Sequence, residues 1–84
     1  MLYISHMKTT QYFRNTRQRP DRAIIKDKWI QQVVQNPLRE EHQADRRIRR
    51  WARIAEMNKR ALRVILLEVG ETIHNAFFDR DFKE

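Results

Sequence analysis

The sequence predicts an α+β domain in which an N-terminal helix, or a pair of helices, packs on an antiparallel β-sheet. Three observations support this fold class: an apolar stripe at helical spacing between residues 24 and 34, an apolar run rich in β-branched side chains at 62–69, and turn-favouring polar residues on both sides of that run. The 84 residues leave room for one domain with one thin core.

Composition excludes several classes of protein. Lysine and arginine number 18 against 11 acidic residues, a net charge of +7 that favours polyanionic partners. The chain has no cysteine, which rules out disulfides and is compatible with the reducing cytoplasm, where we expect it to be located. Its single glycine cannot build a phosphate-binding loop, and no apolar run reaches the ~20 residues that span a membrane. The three histidines, at 6, 42 and 74, have no metal-ligand spacing, so neither a metal nor a cofactor is expected.

The N-terminal region is expected to be short and partly helical. We interpret residues 1–8 as a tail or a short edge segment and residues 9–84 as the single domain. Residues 11–19 are predicted to form one or two helical turns that end before Pro20, because the residue before a proline is pushed out of the helical conformation.

The clearest element is a helix from about Asp21 to Gln35. Proline and an acidic residue suit its first turn, where a missing N–H is tolerated and negative charge faces the positive end of the dipole. Asn36-Pro37 ends it, and the polar segment 38–45 is predicted to be a connector. The apolar residues that share one helical face are Ile24, Ile25, Trp29, Ile30, Val33 and Val34.

Residues 46–69 fit two structures. Helical spacing of Ile48, Trp51 and Leu62, with no glycine or proline between them, is compatible with a helix. Alternation is compatible with two strands joined by a turn at 57–60, and periodicity alone leaves the first of these strands undecided. In the strand interpretation, one face carries Ile48, Arg50, Ala52 and Ile54, and the other carries Arg49, Trp51, Arg53 and Ala55.

A further strand is predicted at 72–78, after a second turn at Gly70-Glu71. Alternation places Ile73 and Phe77 on one face of it and His74 on the other. The expected core contributions of the sheet are Val64, Leu66, Ile73 and Phe77, packed against a buried Trp29.

The segments Ile48–Ile54, Leu62–Leu67 and Gly70–Arg80 resemble the C-terminal part of the RelE/ParE-like toxin superfamily, in particular its small uncharacterised RelE-like domains. The resemblance covers roughly Asp21–Phe82. It implies a two-layer fold with three antiparallel strands after the N-terminal helical part. It also implies that the protein is the toxin of a bacterial toxin–antitoxin pair, acting as a metal-independent mRNA endoribonuclease. Its partners would be RNA, which such toxins can cleave on the ribosome, and a cognate antitoxin.

Two arginines match the functional positions of the RNA-cleaving members. Arg63 corresponds to a strand arginine that contacts the scissile phosphate, and Arg80 to a second basic residue near that phosphate. The tyrosine that follows in those members is absent here, and Phe82 stands nearby without a hydroxyl group.

RNA cleavage needs a base, an acid and cations that stabilise charge on the phosphate. His74 is the one histidine inside a predicted element, which makes it the candidate general acid or base. A histidine that only forms local hydrogen bonds in its strand is the alternative. Glu56, Glu68 and Asp79 are further candidates for the base, although each also fits a solvated surface or turn.

An arginine-rich segment carries the expected RNA contacts. Clustered cations with an aromatic side chain can follow a phosphate backbone and stack on bases, although a solvated face is the simpler interpretation. An acidic antitoxin segment could use the same surface, and Trp51 could instead belong to the core. Other functions that stay open are a non-catalytic RNA- or protein-binding module and, if 46–69 is helical, a small DNA-binding protein. The candidate RNA-binding residues are Arg46, Arg47, Arg49, Arg50, Trp51, Arg53, Lys59 and Arg60.

Overall fold

Three short helices pack on a four-stranded antiparallel sheet in the computed structural model, which describes residues 7–83. The strands are hydrogen-bonded in chain order, so each one pairs with its neighbour in the sequence. The expected tail or edge segment at 1–8 lies mostly outside the described residues; Thr9 forms an isolated parallel bridge with Ile73. The elements are α1 Gln11–Thr16, α2 Pro20–Ala23, α3 Asp27–Gln35, β1 Arg39–His42, β2 Arg47–Ile54, β3 Arg60–Leu67 and β4 Thr72–Phe78.

The helix predicted at 21–35 is wrong as one element, because the chain leaves the helical conformation between α2 and α3. Lys26 is extended and precedes the first turn of α3, where Asp27 faces the helix dipole and pairs with Arg17 at 2.6 Å. The break lets Ile25 turn into the core while Ile24 stays 51% exposed. Helical spacing therefore identified the apolar face correctly but concealed a change of direction within it.

The prediction of a connector at 38–45 is wrong, because part of this segment forms the strand β1. The sheet therefore has four strands and not three. This strand has the sequence Arg-Glu-Glu-His and no apolar alternation, which is why its pattern did not predict a strand. It pairs with β2 as a charged edge strand, with Glu40 directly across from Arg50 and Glu41 across from Arg49. Charged side chains are typical of edge strands, which must avoid pairing with other molecules.

The strand interpretation of 46–69 is confirmed. β2 and β3 pair in register from Arg47 with Leu67 to Ile54 with Arg60. The expected turn follows a short 3-10 segment, and Asn58 and Lys59 adopt φ values of 55° and 61°. Asparagine tolerates this left-handed conformation better than most residues. The predicted alternation of β2 is also confirmed, because its isoleucines face the helices and Trp51 faces the other side.

The expected position of Phe77 in the core is wrong. A bulge interrupts the pairing of β3 with β4, so Ile65 lies across from Asn75 while Leu66 lies across from Ile73. The extra residue reverses the alternation, as bulges do. Ala76 consequently shares the core face with Ile73, and Phe77 lies across from Arg63 on the opposite face.

The core lies between the helices and one face of the sheet. Trp29 is buried there at 4% exposure, as predicted, and Val64 and Leu66 are fully buried. None of the helices among residues 7–83 has the length and apolar composition that spanning a bilayer requires. The opposite face of the sheet carries the side chains from which the candidate site is built.

Candidate nucleic-acid interface

A row of alternating arginine and aromatic side chains crosses the face of the sheet that lies away from the core. Arg39, Trp51, Arg63 and Phe77, one from each strand, lie directly across from one another in the pairing register. The Arg39 and Arg63 guanidinium carbons lie 5.7 and 5.6 Å from the Trp51 ring centroid, and that of Arg63 lies 4.8 Å from Phe77. We call these four residues the cross-sheet row. Arg22 of α2 extends it, with its guanidinium 5.1 Å from Phe77.

Asp79 fixes the middle of the cross-sheet row. Its Oδ2 accepts hydrogen bonds from Nε1 of Trp51 at 2.9 Å and from Nη2 of Arg63 at 2.9 Å. The carboxylate is 8% exposed. Burial raises the pKa of Asp79, but the hydrogen bonds from Trp51, the Asp81 backbone N–H and Arg63 outweigh it, so this pKa lies below its ordinary value. Asp79 is therefore ionised at neutral pH and holds Arg63 in place.

Two adjoining pockets lie beside this row, at the end of the sheet where the β2–β3 turn meets the C-terminal segment. One has a volume of about 280 Å³ and the other about 380 Å³, and both are lined by Arg60, Phe78 and Arg80. Together they form what we call the basic groove. Its cationic side chains are Arg22, Arg53, Lys59, Arg60 and Arg80.

Within the described part of the chain, three of the five cationic side chains of the basic groove have no carboxylate partner. Of its two carboxylates, Asp79 is bound to Arg63, and Asp21 lies 3.5 Å from Arg22. Among residues 7–83, no carboxylate forms an ion pair with Lys59, Arg60 or Arg80. Arg60 instead lies 4.3 Å above the Phe78 ring. The groove thus combines cations with aromatic surface, which suits an anionic ligand that also has flat rings.

Half of the predicted RNA-binding residues lie in this region. Arg53, Lys59 and Arg60 line the basic groove, and Trp51 belongs to the cross-sheet row. Two roles were considered for Trp51, an RNA contact and a core residue. The residue is only 5% exposed, yet it does not belong to the core cluster, so it fits neither role fully.

The other half lies elsewhere. Arg50 is buried on the core face, where it bonds Glu40, Glu71 and the Val34 carbonyl, so its charge is used within the protein. Arg47 lies 3.8 Å from Asp45 at the far end of β2. Of the remaining two, Arg46 lies in the turn before β2, and Arg49 lies in β2 across from Glu41 of β1.

The three candidate catalytic residues do not form one cluster. Arg63 is hydrogen-bonded to Asp79, which lines the basic groove together with Arg80. His74 lies three residues before Phe77 on β4, roughly 10 Å along the strand. Its Nδ1 is 3.1 Å from the Thr10 hydroxyl, and its ring stacks on Tyr12 at 4.9 Å.

The contacts of His74 fit a structural role. The Thr10 hydroxyl oxygen also accepts the Phe13 N–H and so caps α1. The O–H of Thr10 is still available as a donor, so it can donate to an unprotonated Nδ1 of His74. Burial and the nearby Arg47 lower the pKa of His74, which favours the neutral ring.

The lowered pKa of His74 makes the stability of the protein depend on pH. Because the folded-state pKa of His74 lies below its unfolded value of about 6.5, the unfolded chain binds more protons, and stability rises with pH in this range. We expect the stabilisation to be complete above pH 7 and to be lost as the pH falls through the folded-state value. Urea midpoints at pH 7.5 and 5.5 should differ less in His74→Asn than in the unchanged protein. An identical difference in both proteins would show that His74 is not responsible.

Of the two other candidates for the general base, one forms a structural hydrogen bond and the other is exposed to solvent. Glu56 accepts a hydrogen bond from Nε1 of Trp29 at 3.4 Å, and Glu68 is exposed. Across the described ranges, no three acidic or histidine side chains come together as a metal site.

The sequence did not predict Arg39 and Phe77 as members of the cross-sheet row. Arg39 lies in β1, which was not predicted, and Phe77 follows the bulge that changes which face it occupies.

Neither a protein-family model, nor a curated protein, nor a solved structure matches this chain.

Proposed function

We propose that this protein binds single-stranded RNA through the basic groove. The observation that carries the proposal is the grouping of Lys59, Arg60 and Arg80, without carboxylate partners in the described structure, around pockets that also contain Phe77 and Phe78. Guanidinium groups bind phosphate oxygens in pairs and stay charged at every physiological pH. Single-stranded RNA presents phosphates and unstacked bases together, which matches a surface of interleaved cations and aromatic rings.

Single-stranded RNA fits this surface better than a DNA duplex. Residues 7–83 offer no long exposed helix to the major groove. The longest helix there, α3, has nine residues, and its Trp29, Ile30 and Val33 are buried in the core. Stacking on Phe78 or in the cross-sheet row requires a base that is not paired. The third function considered above, a helical DNA-binding protein, depended on a helix at 46–69, which is a pair of strands.

Binding should depend steeply on salt and on the groove arginines. Four or five phosphate contacts predict a slope of log affinity against log salt of about −3, from ~0.7 per phosphate on a single strand. The double variant Arg60→Gln/Arg80→Gln should reduce the magnitude of that slope by about 1.4 and weaken binding at low salt. Fluorescence anisotropy with a labelled ten-nucleotide RNA measures both.

The matched control removes the same charge at the other end of the sheet. Lys8→Gln/Arg46→Asn also lowers the net charge by two, and asparagine suits the φ of 67° at position 46. This control should keep a slope within a few tenths of the unchanged protein. A flat salt response of the unchanged protein, or an equal loss in both double variants, would rule out the groove as an RNA site.

A second proposal is the one implied by the RelE-like resemblance: an mRNA-cleaving toxin with a RelE-like fold, whose antitoxin covers the same groove. The two arginines that match RNA-cleaving relatives favour it: Arg63 binds Asp79, and Asp79 and Arg80 both line the basic groove. Incubating the same RNA with the protein in a chelator, with Arg80→Gln beside it, tests this. Intact RNA in every sample would contradict the cleavage proposal and leave RNA binding as the remaining proposed function.

A further inference from the structure

The C-terminal segment covers the centre of the cross-sheet row. Phe82 stacks on Trp51 with ring centroids 5.5 Å apart and an interplanar angle of 23°. The Arg53 guanidinium carbon also lies 5.4 Å from the Phe82 centroid. The Phe82 ring is therefore in contact with both an indole and a guanidinium group, and we call the position that it fills the slot. Arg39 secures the segment by donating to the Lys83 carbonyl at 3.1 Å.

Trp51 is better fixed than the Phe82 ring that covers it. Trp51 is held by its hydrogen bond to the buried Asp79 and lies in the middle of the paired strands. Phe82 lies outside the helices and strands, on a turn after Asp79, and is only half-buried. It does not belong to the core cluster, so its departure would leave the core packing unchanged.

We propose that Phe82 occupies a nucleobase slot, and that a base of the RNA bound in the basic groove displaces it and stacks on Trp51 beside Arg53. This inference rests on the proposed function. An indole and a guanidinium plane both stack on bases, and every base has a suitable face. The position fits as well, because Arg53 and Phe82 also line the basic groove, so a base attached to a phosphate there enters the slot directly.

The C-terminal segment thus competes with the RNA. A phenylalanine tethered beside its slot rebinds quickly, so each RNA must displace it before gaining the stacking contact. Removing the ring should increase affinity, and only for a ligand that has bases. This expectation is opposite to that for an aromatic residue that contacts RNA directly, whose removal weakens binding.

The test uses Phe82→Ala and Phe82→Leu with two probes of equal length, an eight-nucleotide oligoadenylate and an abasic ribose-phosphate oligomer. We expect both variants to bind oligoadenylate roughly three- to tenfold more tightly than the unchanged protein, because the base no longer has to displace a tethered ring, and to bind the abasic oligomer equally well. Phe82→Leu keeps apolar cover over Trp51 but cannot stack, which guards against a loss of folding in the alanine variant.

The possible failures are distinguishable. Salt-dependent binding of both probes without any gain for oligoadenylate, or with weaker binding in both variants, would overturn the nucleobase slot and leave the groove intact. Tightening of both probes alike would also overturn it, because a base would then not be required. Failure of the unchanged protein to bind either probe would overturn the proposed function and the slot together.

Discussion

Replacing Asp79 with asparagine is expected to lower the free energy of unfolding by about 3 kcal/mol, the lower end of the range for breaking a buried ion pair. The carboxylate is 8% exposed and the Arg63 side chain 21%, so the change leaves a largely buried guanidinium without its counter-charge. The amide can still accept from Trp51, but its NH2 group brings a donor to a site that already holds donors.

Urea unfolding at pH 7 measures this loss. Asp81→Asn is the matched control, because it removes the same charge from an exposed residue two positions later and should change stability by less than about 0.5 kcal/mol. Equal stability of both variants would show that Asp79 does not hold the row together. The same contact makes Arg63→Ala a poor test of catalysis, because it leaves the buried Asp79 carboxylate without its counter-charge. Arg80→Gln is the better test, because this second candidate arginine is exposed.

Replacing Trp29 with alanine is expected to cost about 3–5 kcal/mol, a large share of the stability of a small domain. Trp29 is 4% exposed and joins α3 to the sheet, with its ring edge-to-face against Phe78 at 6.3 Å. Its Nε1 also donates to Glu56 at 3.4 Å. The alanine variant loses the apolar contacts and leaves a cavity between the two layers.

Trp29→Phe serves as the control, since it retains an aromatic ring and loses the weak hydrogen bond. Thermal unfolding followed by circular dichroism should place this control between the unchanged protein and Trp29→Ala. A loss below about 1 kcal/mol in the alanine variant would mean that α3 contributes little to the core.

The elements that the sequence predicted are those with strong local patterns. The apolar stripe of α3, the alternation in β2 and the asparagine in the following turn each express a short-range preference. β1 has no such pattern, because it forms by pairing its backbone with β2 and by placing Glu40 next to Arg50. The bulge before Leu66 is likewise a matter of register, which reverses the faces of β4 without any mark in its sequence.

The candidate site was predicted by residue type and only partly by place. Net charge and the arginine-rich segment indicated a polyanionic ligand, but they could not separate a buried Arg50 from an exposed Arg60. That difference depends on which carboxylates the fold brings near each arginine. The role of Asp79 illustrates the same limit, since its burial results from β4 and the C-terminal segment meeting at the row.

RNA binding at the basic groove is tested most directly by an NMR titration of the labelled protein with a ten-nucleotide single-stranded RNA. We expect the largest amide and arginine side-chain shifts at 58–60 and 78–82, around the basic groove, and little change at 45–47 and 68–69 at the far end. Shifts concentrated at that far end or along β1, or no shifts at low salt, would contradict binding at the groove.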